Sequence, residues 1–352
     1  MKLLIITQKY DINDSNLGAF VGWWDKLAER MEKVYVLALE KRSESTRSNI
    51  EVISMGKEKG AGFFGKFFGF YLGLFKTIGK ADAVLVHMIP KYVILAAPLA
   101  LIFKKPIFMW YTGVAAQKQL KFSVIFCRKV FTAHEAAMRV NTLKRVVTGH
   151  GIDIEKFKVK SSKLKVGEFI TVLSVGRITP SKGHDLVIKA IADLIKLGYK
   201  SKLKIIGGVV QDYHRKYLES LKTLVDNLKI NESVEFSGPV SYQKMPEYFT
   251  NAEIIINAVP FFGGLDKVVL EAMASGVVPL TSNNTFLSVF PKEIAPHLVF
   301  KENDLEDLKN KLKNILDKKL YLDETLANQL RDIVVKNHNL DNLIIRIIKE
   351  MS

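Results

Sequence analysis

Arg177 and Lys182 stand five positions apart in SVGRITPSKG, Ser174 to Gly183, where an apolar strand gives way to a glycine turn and then a helix. Two cations at such a point suit a diphosphate. In an open parallel sheet, ligands bind beyond the carboxyl ends of the strands, helix N-termini favour anions, and an arginine can grip two phosphate oxygens at once. The competing reading is a surface loop with two solvated cations. A second group is Glu271, in GGLDKVVLEAMASG, Gly263 to Gly276, read as opening an apolar helix. Its carboxylate either complements the helix dipole or accepts two hydrogen bonds from a sugar diol, while Gly263 and Gly264 let backbone N–H groups approach a phosphate or sugar. A third is His87, at the carboxyl end of the strand DAVLVH. Its imidazole either faces a ligand cleft or serves only the packing of the strand end.

These groups need elements to hold them. KLLIITQKY is a short apolar run closed by polar residues, as expected of a buried parallel strand. A helix around Phe20 to Met31, the strand VYVLAL and the strand EVISM follow. DAVLVH, VILAAPLALIF and KPIFMWYTG then read strand, helix, strand, and VFTAH and RVVTGHGID read as strands with a helix before each. After the charged stretch Lys158 to Glu168 the alternation restarts with FITVLSV, the helix DLVIKAIADLIKLG, KLKIIGG, VEFSG, EIIINAV, the Glu271 helix and VVPLTS. Strands alternating with helices imply parallel sheets covered on both faces. At 352 residues the chain is long for one domain and comfortable for two. The expectation is α/β: two Rossmann-like domains with parallel sheets facing an interdomain cleft.

The order and spacing of these motifs resemble the retaining family-4 glycosyltransferases of the GT-B fold. The likeness runs through Gly18 after the first strand, DAVLVH, GHGIDIEKF, SVGRITPSKG, KIIGG, VEFSGPVS and LEAMASGVVPL. It implies an N-terminal acceptor-side domain over residues 1–160, a C-terminal donor-binding domain over 161–337, and a last helix over 338–352 that crosses back to the first domain. It also implies a nucleoside diphosphate sugar as donor, with Arg177 and Lys182 on the diphosphate leaving group and Glu271 on the ribose. Gly18 matches the loop glycine whose backbone meets the diphosphate, and His87 the residue touching the donor sugar near the reacting carbon. His87, Arg177 and Lys182 are thus the expected catalytic group. Gly176 belongs to the donor turn, and Gly207, Gly208, Pro239 and Val240 lie where the family shapes the base pocket. No metal or cofactor is implied, since Arg, Lys and helix N-termini take over a metal's electrostatic role. Retention of configuration is implied too, and because no well-placed nucleophilic carboxylate is evident in the sequence, the expected route is a front-side substitution in which the leaving phosphate helps deprotonate the acceptor.

The sequence departs from the family in the loop Gly263, Gly264, Leu265, Asp266, Lys267. The usual signature has two glutamates with seven residues between them, and Gly263 takes the place of the first. Asp266 either reaches the sugar hydroxyls instead, with Lys267 adding charge near the phosphates, or the two pair with each other at the surface. His150 stands where asparagine is common and His134 where the family often has a serine; both read as positional substitutes.

Lys and Arg number 52 against 36 Asp and Glu, a formal net charge of +16. Nucleic acid, anionic lipid and phosphorylated small molecules would each answer such a balance, as would a generally basic surface. No helix-turn-helix, zinc finger or ribonucleoprotein aromatic motif is present, so nucleic acid is set aside. Gly60 to Lys80, GAGFFGKFFGFYLGLFKTIGK, interleaves aromatic residues with Lys66, Lys76 and Lys80. It reads either as an interfacial helix against an anionic membrane or as a helix packed on the sheet with solvated lysines. No signal peptide or spanning run is visible, and the single cysteine, Cys127, excludes a disulfide framework and a cysteine zinc site. The expected place is the cytoplasm, peripheral on the cytoplasmic face of the membrane. The expected activity is sugar transfer to a saccharide or lipid-linked acceptor in cell-surface glycan or glycolipid synthesis. A non-catalytic sugar-nucleotide-binding or partner subunit of the same fold is the alternative that Gly263 motivates.

Overall fold

The computed structural model describes residues 1–113, 117–158, 168–260 and 264–352. The chain divides into two compact units. Unit 1 comprises Met1–Gly151, Ser241–Gln243 and Leu340–Ser352; unit 2 comprises Ile152–Val240 and Lys244–Asn339. Most of the charged stretch Lys158 to Glu168, residues 159–167, lies outside the described residues, as does Gly263.

Unit 1 holds a seven-stranded sheet built from β1 (Lys2–Tyr10), β2 (Lys33–Lys41), β3 (Ile50–Ser54), β4 (Ala83–His87), β5 (Ile107–Trp110), β6 (Cys127–Thr132) and β7 (Arg145–Val147). The order is β3-β2-β1-β4-β5-β6-β7 and every pairing is parallel. Leu3, Leu4, Ile5 and Ile6 of β1 are wholly buried, because a central parallel strand covered by helices on both faces has no polar side. One face carries the helices Gly18–Ala28 and Leu340–Met351, whose Trp23, Trp24, Leu343 and Ile347 pack with Leu3, Ile5 and Trp110. The other carries Phe63–Ile78, Pro90–Ile102 and Gln117–Phe126, with Phe70, Leu74, Val93 and Leu120 against Leu4, Ile6 and Val86. The glycines that weaken Phe63–Ile78 as an isolated helix are where it meets the sheet. A Cβ on Gly69 would stand 2.6 Å from Met55 O, and one on Gly73 2.4 Å from a Leu37 methyl. Between β6 and β7, where the sequence suggests a helix, there is only a short 3-10 turn, Glu135–Ala137, which the His134 ring caps by accepting from the Ala136 N–H at 3.2 Å.

Unit 2 holds β8 (Ile170–Val175), β9 (Ser201–Ile206), β10 (Val234–Gly238), β11 (Ile254–Asn257) and β12 (Val278–Thr281), parallel throughout in the order β10-β9-β8-β11-β12. The connections run outward from β8 to β10 on one side and resume at β11 on the other. The ends of β8 and β11 therefore flank the point where the strand order reverses, the position at which such sheets bind ligands.

Candidate functional site

The turn after β8 is laced to its neighbours by backbone. Gly176 N–H donates to Ile206 O at 2.9 Å, Ile178 N–H to Gly208 O at 3.0 Å, and Gly207 N–H to Gly238 O at 2.9 Å. Glycine is required at 207: a Cβ there would lie 1.8 Å from Gly176 O. Gly208 faces the Pro239 ring, and Val240 is buried behind that exposed proline. The four residues expected to shape a base pocket therefore line the ends of β9 and β10, adjacent to the cationic turn.

Within that turn Arg177 is exposed and makes no ion pair with any described residue. Its backbone is held from below by His184, the first residue of the helix His184–Lys196. His184 Nδ1 lies 2.8 Å from Ser174 Oγ and Nε2 lies 3.3 Å from Arg177 O. Burial pushes the imidazole pKa down to about 4, so the ring is neutral, accepting the Ser174 hydroxyl at one nitrogen and donating to the carbonyl from the other. Sequence reasoning missed His184; a histidine directly after the SKG turn was its only signal. The Lys182 side chain lies across Gly176, and its Nζ stands 3.7 Å from Asp266 Oδ1. Gly183 is left-handed, φ 56°, and a Cβ there would be 2.4 Å from Ala258 O, so the helix start is pressed against the end of β11.

The loop after β11 comes to the same place. Asn283 Nδ2 donates to Gly264 O at 2.6 Å and to Asp266 Oδ2 at 2.9 Å. Asn283 is a second residue the sequence did not single out; it fixes Asp266, which pairs with Lys182. Asp266 and Lys267 do not pair with each other, contrary to one of the sequence expectations. Lys267 turns inward instead, its Nζ 2.8 Å from Glu271 Oε1. Burial pushes the Lys267 ammonium below its usual value, against the pull of Glu271. Glu271 is only 5% exposed and sits in the second turn of the helix Lys267–Ala274, not at its start. The helix dipole therefore does not account for this carboxylate, because that effect fades beyond the first turn. Leu265 is buried beneath the loop.

Two expected residues lie in unit 1. Gly18 opens the helix Gly18–Ala28; its N–H donates to Asp14 O at 3.1 Å, and a Cβ would stand 2.9 Å from Ile12 O. His87 ends β4 beside β1, 1% exposed, with Nδ1 3.1 Å from Thr7 Oγ1. Phe20 and Trp110 lie 4.1 and 5.7 Å from its ring, centroid to centroid. Burial pushes its pKa down to about 3, so it is a neutral imidazole, and Nε2 has no hydrogen-bond partner among the described residues. In this state His87 can donate or accept a hydrogen bond but carries no charge.

The model of the family "Glycosyl transferases group 1" matches residues 155–333, just over half of the chain. A mouse GDP-Man:Man(3)GlcNAc(2)-PP-Dol alpha-1,2-mannosyltransferase is 33% identical over 120 residues, covering 32% of this chain and 24% of its own length. Alpha-monoglucosyldiacylglycerol synthase of Streptococcus pneumoniae is 31% identical over 181 residues, covering 47% of this chain and 39% of that protein. The chain thus spans well under half of either relative. Among solved structures, Anabaena Alr3699/HepE in complex with UDP and glucose superposes with a TM-score of 0.78 over 99% of this chain and 98% of that one, at 16% identity. That likeness shows the fold: α/β with two Rossmann-like domains, as in GT-B glycosyltransferases.

Proposed function

Because the chain belongs to the group 1 glycosyl transferases, we propose that it moves a sugar from a nucleoside diphosphate sugar to a saccharide or lipid-linked acceptor, with retention of configuration and without a metal. The observation that carries this reading is Arg177, an exposed guanidinium free of ion pairs among the described residues, its carbonyl fixed by His184 at the carboxyl end of β8. A pre-positioned cation stabilises charge that develops on a leaving diphosphate without paying for reorganisation. Lys182 adds a second cation, held by Asp266 until the donor arrives. Glu271 offers a buried carboxylate to the ribose diol. UDP and glucose bound to the Anabaena protein, and the lipid-linked or lipid substrates in the names of the mouse and streptococcal relatives, support these ligand classes.

In this reading the leaving phosphate takes the acceptor proton on the face it departs from, and Arg177 and Lys182 hold its charge meanwhile. His87, neutral, contributes a hydrogen bond rather than a charge. The work is done in the cytoplasm, peripherally at the membrane, with the Gly60 to Lys80 segment making contact. A thermal-shift panel of nucleoside diphosphate sugars tests the donor class. One member raises the melting temperature by several degrees near millimolar concentration, and Arg177→Ala removes the shift. A panel in which no member shifts the wild type would contradict it.

A second reading has one observation in its favour. Lys267 already occupies Glu271, as it would in a binding subunit that no longer turns over. Donor binding without nucleoside diphosphate release, with acceptors supplied, would establish that alternative.

A further inference from the structure

The helices Phe63–Ile78, Pro90–Ile102 and Gln117–Phe126 form one layer on one face of the unit 1 sheet, each packed on the next. Their inner sides fill the core, so the large apolar side chains left exposed point outward together. From the first helix these include Phe63 and Phe64, 75% and 73% exposed, with Phe68, Leu72 and Phe75. From the second come Leu101, Ile102 and the adjoining Phe103, and from the third Phe122 and Ile125. Single exposed apolar residues are ordinary; eleven on one layer are not.

The charge around them is one-sided. Residues 60–128 contain eight lysines and one arginine against a single acidic residue, Asp82, and Asp82 is occupied by the Lys2 backbone N–H at 2.7 Å. Lys76, Lys80, Lys104, Lys118, Lys121 and Arg128 are exposed along this layer or beside its ends. A cavity of about 240 Å³ opens at its lower edge, walled by Ala97, Ala100, Leu101 and Phe126, with Lys105 and Arg128 lining it too. Neither cation has an ion-pair partner among the described residues.

We infer that this three-helix layer, and not the first helix alone, is a docking surface for an anionic bilayer. The deduction deepens the peripheral-membrane part of the proposed function and rests on it. Aromatic and aliphatic side chains enter the boundary between head groups and acyl chains, and each flanking lysine adds attraction to anionic lipid that salt screens. Lys105 and Arg128 stand at a cavity with apolar walls, suited to a lipid phosphate with the start of its chain. A second protein copy would bring another basic surface against this one; an anionic membrane complements it.

The test is flotation of the full chain with vesicles of equal parts phosphatidylglycerol and phosphatidylcholine, with pure phosphatidylcholine as control. Wild type floats with the anionic vesicles only and is released in high salt. F68E/L72E on the first helix and I102E/I125E on the other two each weaken partition at least tenfold, and K105E/R128E weakens it several-fold. Sensitivity confined to F68E/L72E would overturn the three-helix surface. Partition unchanged in all three, or a wild-type dimer in sedimentation that the same variants dissociate, would overturn membrane docking itself. Nucleoside diphosphate release, measured on the same preparations without vesicles, stays at the wild-type level in all three variants. Its absence in wild type would count against the proposed transfer and leave the docking result standing.

Discussion

Lys267 Nζ lies 2.8 Å from Glu271 Oε1, one turn apart on a single helix, with Glu271 almost wholly buried. The carboxylate proposed to receive the donor ribose is therefore neutralised before any donor arrives. Replacing Lys267 with Met leaves that carboxylate buried without its cation, at a cost of about 3 kcal/mol. A ribose diol donates two hydrogen bonds to the same oxygens. The Lys267→Met protein should melt lower than wild type yet gain more degrees from a bound donor. Equal donor-induced shifts in the two proteins would mean the diol does not meet Glu271.

Arg177 should be worth more to turnover than to stability, because it is exposed and makes no ion pair among the described residues. Arg177→Ala is expected to leave the melting temperature nearly unchanged and to slow sugar transfer about 100-fold or more. Arg177→Lys recovers only part of that, since an ammonium cannot make the paired contact of a guanidinium. Turnover is also expected to survive excess EDTA, as the metal-free reading requires.

Acid should loosen unit 2 through His184. Burial holds its folded pKa at about 4 against 6.5 for the free group, so the unfolded chain takes up the proton first as pH falls. The neutral-ring contribution is full above about pH 6.5 and is lost progressively toward pH 4, by about 3 kcal/mol at most. Melting temperature measured from pH 7 to pH 5 should drop. In His184→Asn the drop should be shallower, with the remainder carried by His87 and His134, whose folded pKa values are also lowered by burial. An identical slope in the variant would exclude His184 as a source.

Gly207→Ala puts a methyl 1.8 Å from Gly176 O and forces apart the turn that carries Arg177. The expected loss is about 2 kcal/mol or more in stability, together with loss of donor binding. Denaturant unfolding checks the first, and the sugar-nucleotide thermal shift the second.

The alternation of strands and helices was readable because buried parallel strands are short continuous apolar runs, such as LLII in β1 and III in β11. The cationic turn was readable for the same reason: SVGR places its arginine directly beyond a strand end. Residues whose role depends on partners distant in sequence were not readable. His184 matters through Ser174 and the Arg177 carbonyl, and Asn283 through Gly264 and Asp266. Glu271 looked like a helix start because the apolar run LEAMA hides the turn begun at Lys267. For His87 the sequence leaves both a cleft-facing and a packing imidazole open, and the aromatic surround of Phe20 and Trp110 appears only in the fold. The glycines of Phe63–Ile78 weaken an isolated helix, and only the fold shows that they let it approach β2 and the residues after β3.

The most direct measurement is single-donor turnover: nucleoside diphosphate released from a panel of donors by wild type, Arg177→Ala and Glu271→Ala, all shown to be folded by circular dichroism. Wild type should release nucleoside diphosphate from at least one donor, with the rate reduced 100-fold or more in Arg177→Ala and at least tenfold in Glu271→Ala. Equal rates in all three folded proteins, whether at the level of the blank or above it, would contradict the proposed transfer.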